Sequence, residues 1–95
     1  KKEMADVARS LPALMRTQKV IKRAGSAGVL PCDSAVVLSD LKEAAAALGD
    51  APSKKELGRL LFDVCRLCQN AGVEGEEALY EACDAFIEAD GRLSN

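Results

Sequence analysis

Four segments of the chain place hydrophobic side chains at every third or fourth position, which is the spacing of one face of an α-helix. No segment shows the hydrophobic–polar alternation that is typical of a strand. The predicted helices cover about residues 11–24, 34–48, 53–71 and 75–90. Because the connections between them are short, the sequence predicts an all-α domain with a four-helix bundle-like arrangement. This domain is expected to span residues 10–95, with residues 1–9 as a linker or N-terminal extension.

Residues with known preferences for helix ends support these boundaries. Ser10 is expected to cap the first helix, with Pro12 in its first turn, where the missing N–H has no cost. Ser53 and Glu56 have the spacing of a capping box at the start of the third helix. Gly72 follows the last hydrophobic position of that helix and is expected to end it.

The hydrophobic stripes of the last two predicted helices are expected to face the core of the domain. They comprise Leu57, Leu60, Leu61, Val64, Leu67, Cys68 and Ala71 on the third helix, and Leu79, Ala82, Cys83, Phe86 and Ile87 on the fourth. A chain of 95 residues with only 3% aromatic residues is close to the lower size limit for an independent core. We therefore expect a homo-oligomer, with the aromatic residues in the core or in the interface.

Composition excludes several classes of function. The hydrophobic content of 48% is too high for a disordered chain, and no apolar run approaches the ~18 residues of a membrane span. The net charge of −2 gives little support for binding to nucleic acid or to acidic membranes. Since the sequence contains no histidine, His-based acid–base catalysis, His metal ligands and His-activated nucleophiles are excluded.

The cysteines allow more than one interpretation. Cys65 and Cys68 have the CxxC spacing of half a zinc site, but the other two cysteines, Cys32 and Cys83, are isolated. Both members of the pair also lie within the third predicted helix. The expected role is that of small core side chains, with zinc binding and redox chemistry as alternatives. Since no signal peptide is visible, cysteines of this kind indicate a reducing cytoplasm.

Three carboxylates on the second and third predicted helices could hold a hard cation. Asp40 and Glu43 are three residues apart and share one helix face. Glu56 opens the next helix, which is expected to run antiparallel to the second because the connection is short. Mg²⁺ prefers oxygen ligands and retains several waters, so two or three carboxylates and a phosphate suffice. The alternative is that these acids are solvated, with Glu56 serving the capping box.

Several runs of the sequence resemble one enzyme family. The run SLPALMRTQKVIKRA at residues 10–24 resembles the opening of MazG-type nucleoside triphosphate pyrophosphohydrolase domains. The run ELGRLLF at residues 56–62 is similar to the family's ELGDLLF, and EEAL at residues 76–79 is similar to the start of its last helix. The similarity spans roughly residues 7–90. It implies an all-α, usually dimeric fold and Mg²⁺-dependent cleavage of a nucleoside triphosphate to a monophosphate and pyrophosphate.

The resemblance also assigns roles to residues of this chain. The family's EExxE motif corresponds to residues 39–43, and its ExxD motif corresponds to residues 56–59. The implied metal ligands are Asp40, Glu43 and Glu56, of which Glu43 and Glu56 are the implied catalytic residues, and the implied phosphate-binding residues are Lys19 and Lys22. The residues that depart from the family pattern are Ser39 and Arg59 in the acidic motifs and Cys83 and Ala85 in the last helix.

Two functions are compatible with these departures. The first is a nucleoside triphosphate pyrophosphohydrolase with weakened or lost activity, since the Arg59 guanidinium cannot deprotonate and would repel Mg²⁺. The second is a non-catalytic domain of the same fold that supports dimerisation or binds a partner domain. The expected partners are a nucleoside triphosphate, if the site is active, and a second copy of the chain; nucleic acid and membranes are not expected.

Overall fold

The computed structural model describes Met4 and residues 6–94 of the chain. The described residues form four long helices and contain no strand. These helices are α1 (Ala13–Ser26), α2 (Ser34–Ala46), α3 (Lys54–Ala71) and α4 (Gly75–Ser94). The all-α, four-helix prediction is therefore confirmed.

The ends of α3 form as the sequence predicts. The Ser53 hydroxyl accepts a hydrogen bond from the Glu56 backbone amide at 3.1 Å, and the Glu56 carboxylate accepts one from the Ser53 amide at 2.8 Å. At the other end, Gly72 adopts a left-handed conformation with φ of 69°. Because both signals act within one turn of the chain, the sequence alone is sufficient to locate them.

The boundaries of α1 and α4 differ from the prediction. Pro12, rather than Ser10, occupies the N-cap position of α1, and no side chain caps this end, so the predicted Ser10 cap is wrong. At its C-terminal end, α1 continues through Gly25 to Ser26. A Cβ atom on Gly25 would lie 2.7 Å from the Cys32 Sγ, so the glycine serves the close approach of the following loop and does not end the helix. Similarly, α4 continues past residue 91 to Ser94.

Helix α3 is central and contacts each of the other helices. It runs antiparallel to α2, since Asn70 near its end bonds to Ser34 at the start of α2, and Arg66 bonds to Asp40 one to two turns further along α2. Helix α1 packs against α3 and α4. The buried hydrophobic side chains are few and small: Val7, Ile21, Ala24, Val37 and Cys65.

The predicted core faces of α3 and α4 are largely wrong for a single chain. Leu57, Leu61 and Val64 on α3 are 41%, 58% and 41% exposed. On α4, every residue from 77 to 89 is exposed, including the apolar stripe that the sequence analysis placed inside. Between residues 75 and 89 only Gly75 is buried, so the packing of α4 against α1 and α3 leaves the apolar stripe in water.

Helix α4 has 20 residues and is therefore about 30 Å long.

Candidate functional site

An ion-pair network joins α2 to α3 at the position where the sequence predicts a cation site. Nη1 of Arg66 donates hydrogen bonds to Oδ2 of Asp40 at 2.9 Å and to Oδ1 of Asp63 at 3.1 Å. The Arg66 side chain is 5% exposed and that of Asp63 is 1% exposed. Burial disfavours the charge on Arg66, but the hydrogen bonds that the guanidinium donates to Asp40 and Asp63 outweigh this effect and raise its pKa above the ordinary value. The network therefore contains a permanent positive charge.

A second guanidinium approaches the same network from the surface. Nε of Arg59 lies 3.5 Å from Oδ2 of Asp63, and the Arg59 side chain is 62% exposed. Arg59 is the cation that the family resemblance singles out, but Arg66 is the one that contacts Asp40. The sequence contained a signal for Arg66, because it lies three residues after Asp63 on the helix face that an antiparallel α2 would cover.

The three carboxylates predicted to hold a metal do not form a cluster in the structure. Asp40 is engaged by Arg66, Glu56 accepts the Ser53 amide in the capping box, and Glu43 is exposed on α2. Across the described residues there is no group of three or more acidic or sulfur ligands placed to hold a metal ion. Mg²⁺ needs converging oxygen atoms with free lone pairs. As arranged, these residues do not fit a magnesium ion.

Glu56 belongs to a cavity of its own between α2 and α3. The cavity has a volume of about 250 Å³ and is lined by Ala44, Ala47, Lys55, Glu56 and Arg59. Its charged lining residues are two cations, Lys55 and Arg59, and one carboxylate, Glu56, so the lining does not favour binding of a cation.

The basic residues of α1 border a different set of cavities. Lys22 lines three of them, with volumes of about 460, 310 and 430 Å³, and Lys19 lines the first two. Both lysines are exposed. The third cavity is lined by both Lys22 and Arg66.

Gln18 fixes α1 beside these cavities. Its Nε2 donates to the Val73 carbonyl at 2.9 Å and to Oε1 of Gln69 at 3.2 Å, and its Oε1 accepts the Gly75 amide at 2.6 Å. The side chain thus ties α1 to the turn between α3 and α4. In the sequence, this role of Gln18 is indicated by a polar residue at a core-facing position of the first predicted helix.

The cysteines agree with a structural role for the CxxC pair. Cys65 is 2% exposed, and burial, together with the nearby Cys68, raises the pKa of its thiol. Cys68 is half-buried, whereas Cys32 and Cys83 are exposed, and all four are free. A buried thiol with a raised pKa is a poor nucleophile and a poor metal ligand.

The remaining departures from the family pattern lie on the surface. Ser39 is exposed on α2, and Cys83 and Ala85 are exposed on α4. Neither Cys83 nor Ala85 adds a positive charge to α4.

The chain is similar in sequence to a characterised enzyme. It is 33% identical over 90 residues to the nucleoside triphosphate pyrophosphohydrolases of Escherichia coli strains K12 and O157:H7. The match covers 85% of this chain but 34% of the enzyme, so the chain spans about a third of the length of these relatives. No protein-family model matches the chain, and no solved structure matches it.

This chain is therefore a distant relative of part of that enzyme. Among the described residues, none of the helices combines the length and the apolarity that a membrane crossing would need.

Proposed function

We propose that this chain is a MazG-like domain in which Mg²⁺-dependent nucleoside triphosphate pyrophosphohydrolase activity is weak or lost. The family relationship is supported by the similarity to the Escherichia coli enzyme. The loss of activity rests on one observation, which is the 2.9 Å ion pair between Arg66 and Asp40. Ser39 and Arg59, which replace acidic residues of the family motifs, support the same conclusion.

The ion pair opposes a metal in two ways. It occupies an Asp40 oxygen that a divalent cation would need, and it places a fixed positive charge beside the position of that cation. The guanidinium cancels much of the attraction that the Asp40 carboxylate would otherwise have for a divalent ion. Since Arg66 does not lose its proton, this cancellation persists at every physiological pH.

Any residual activity would depend on the residues that remain accessible. Glu43 is exposed and could orient or deprotonate a water, whereas the Glu56 carboxylate is shared with the capping box. Lys19 and Lys22 would hold the phosphates of the nucleotide. We assign no catalytic step to a magnesium ion, because the carboxylates do not converge on one.

The test is pyrophosphate release from a panel of nucleoside triphosphates with Mg²⁺ or Mn²⁺. We expect release at least about 100-fold slower than that of the Escherichia coli enzyme assayed in parallel, as disturbed ligand shells often cause. Rapid release that is abolished by Glu43→Ala or Glu56→Gln would overturn the proposal. Glu56→Gln keeps a side-chain oxygen that can accept the hydrogen bond from the Ser53 amide in the capping box. Glu77→Gln on α4 serves as the matched control.

The second part of the proposal is a homodimer that forms through an apolar surface on α3 and α4. The apolar surface comprises exposed side chains on both helices: Leu57, Leu61, Val64, Leu79, Phe86 and Ile87. Each of these side chains is between 41% and 69% exposed, so covering them with a second copy would remove apolar area from water.

A second copy of the chain fits this surface because both apolar stripes would be covered together. Leu79, Phe86 and Ile87 share one face of α4, and Glu81, Asp84 and Glu88 lie on the other. Pairing of the stripes in a symmetric dimer would bury the former and leave the latter in water. This surface also favours the second candidate function, a non-catalytic domain that holds chains together.

The oligomeric state can be tested with two neighbouring substitutions. Phe86→Glu places a charge within the apolar surface, and Ala85→Glu places the same charge on the other side of α4. We expect light scattering to give a dimer for the native chain and for Ala85→Glu, and a monomer for Phe86→Glu. A native monomer at micromolar concentration would overturn this part of the proposal.

The free, exposed Cys32 and Cys83 support a reducing compartment such as the cytoplasm.

A further inference from the structure

We infer that Gln18 sets the direction of α4 and so holds the apolar surface on α3 and α4 in the arrangement that a second copy of the chain covers. The inference rests on the proposed homodimer. It adds that a positioning residue outside the apolar surface decides whether that surface can form. The residue lies in a junction of α1, α3 and α4 that consists of Gln18, Gln69, Val73 and Gly75.

The Gln18 side chain contacts three segments of the chain at once. Its Nε2 donates to the Val73 carbonyl at 2.9 Å, in the turn before α4, and to Oε1 of Gln69 on α3 at 3.2 Å. Its Oε1 accepts a hydrogen bond at 2.6 Å from the amide of Gly75, the first residue of α4. Amides in the first turn of a helix have no acceptor within that helix. Gln18 therefore supplies to α4, from α1, an acceptor that α4 lacks.

The turn between α3 and α4 is held from two sides. The Val73 amide donates to the Cys68 carbonyl at 2.9 Å, next to the left-handed Gly72 that ends α3, and the Val73 carbonyl accepts from Gln18. A Cβ atom on Gly75 would lie 3.0 Å from Oε1 of Gln18 and 3.5 Å from Sγ of Cys68. The glycine thus permits the close approach of α1 and α3 to the start of α4. The junction leaves the turn little freedom to change the direction of α4.

The rest of α4 amplifies any change at the junction. Between residues 75 and 89 only Gly75 is buried, so packing along the helix does little to hold its direction. Phe86 lies roughly 16 Å along the helix from Gly75, so a tilt of about 10° at the junction moves it by about 3 Å. A shift of this size forfeits most of the attraction between side chains that pack about 3.5–4 Å apart. The direction of α4 therefore decides whether one second copy can cover the stripes of both helices.

Dimerisation and the junction are linked in both directions. If the second copy binds the arrangement of α4 that Gln18 stabilises, loss of Gln18 weakens the dimer, and loss of the dimer loosens the junction. Both copies must adopt this arrangement, so its population enters the dissociation constant of the dimer twice. A side chain that contributed only to the stability of the fold would leave the dissociation constant of the folded chain unchanged.

The experiment measures the dissociation constant of the dimer by sedimentation equilibrium, with circular dichroism to check helical content. Gln18→Met keeps a similar length and removes all three hydrogen bonds, and we expect it to raise the dissociation constant at least about tenfold. Gln69→Met is the matched control, since Gln69 is the only other glutamine of the chain and its loss leaves Gln18 bonded to Val73 and Gly75. For this control we expect a change of less than about threefold. A native-like constant in Gln18→Met, or equal weakening in both variants, would overturn the inference.

A second measurement leaves the junction itself unaltered. The Gly75 amide donates to Gln18, so its hydrogen exchange reports whether the junction is closed. At equal chain concentration, we expect exchange at least about threefold faster in Phe86→Glu than in the native chain or in Ala85→Glu. Equal exchange in all three chains would contradict the linkage, and this holds even where Gln18→Met fails to fold.

The outcomes separate this inference from the proposed function. A native dimer whose dissociation constant is insensitive to Gln18→Met overturns the inference alone and leaves the homodimer in place. A native monomer overturns the proposed homodimer and the inference together. Pyrophosphate release tests the catalytic part of the proposed function independently of both.

Discussion

Replacement of Arg66 with methionine tests whether the buried ion-pair network is held together by that one side chain. Methionine has a similar length and no charge. The substitution leaves Asp63, whose side chain is 1% exposed, with Arg59 as its remaining cation at 3.5 Å. It also frees Asp40, which is one-third exposed and can be hydrated.

The magnitude follows from the burial of the two groups. Removing one partner of a buried ion pair costs about 3–5 kcal/mol, because the other charge stays buried without compensation. Arg59 is 62% exposed, so its pairing with Asp63 is worth no more than about 1 kcal/mol and offsets little of this. A chain of 95 residues has a free energy of unfolding of about 5–14 kcal/mol, so Arg66→Met should fold but be much weakened.

Urea denaturation followed by circular dichroism measures the effect. With an m-value of about 2 kcal/mol/M, the midpoint should fall by about 2 M. The double variant Asp63→Leu/Arg66→Met removes both buried charges and should recover to within about 1–2 kcal/mol of the native chain. All measurements need one chain concentration, since association adds a concentration-dependent term to stability.

Two results would refute the reasoning. A loss below about 1 kcal/mol for Arg66→Met would mean that water or Arg59 compensates Asp63 in the folded chain. A double variant as unstable as the single one would mean that packing, rather than an uncompensated charge, carries the effect.

Three further predictions concern local features of the fold. Ser53→Ala should lower the free energy of unfolding by about 1 kcal/mol through loss of the capping bond, with Ser39→Ala as a near-neutral control in urea denaturation. Gly72→Ala should cost about 1–2 kcal/mol, because φ is 69°, whereas Gly58→Ala in the open interior of α3 should stabilise the chain by about 0.5–1 kcal/mol. Because burial and Cys68 raise the pKa of Cys65, its contribution to stability should be present below about pH 8.5 and fall as the pH rises through the folded value. Melts between pH 7 and 10 check this, and Cys65→Ala should flatten the decline.

The helices themselves could be predicted because their signals are local. The Ser53–Glu56 capping box and the left-handed Gly72 depend on atoms within one turn, and the hydrophobic period depends on positions three and four residues apart. The errors at the two ends of α1 have different causes. Pro12 occupies the N-cap position that the sequence analysis assigned to Ser10, and the helix continues through Gly25, which Cys32 approaches closely in the tertiary structure.

The candidate site could be predicted only in part. The sequence indicated Asp40, Glu43 and Glu56 as neighbours on adjoining helices, and the family resemblance implied Lys19 and Lys22 as phosphate-binding residues. It gave no weight to Arg66, because a charged residue between hydrophobic positions of a helix is ordinarily a surface residue. The depth of Arg66 depends on where α2 lies across α3.

The sequence by itself determined the number and order of the helices, the capping of α3, the absence of histidine chemistry and the resemblance to a pyrophosphohydrolase. Only the tertiary structure decided that Arg66 pairs with Asp40 and that the apolar stripe of α4 is uncovered. The physical reason is that periodicity shows which side chains share a face, whereas the free energy of that face depends on what packs against it. For α3 that neighbour is a helix carrying a carboxylate, and for most of α4 no described part of the same chain supplies one.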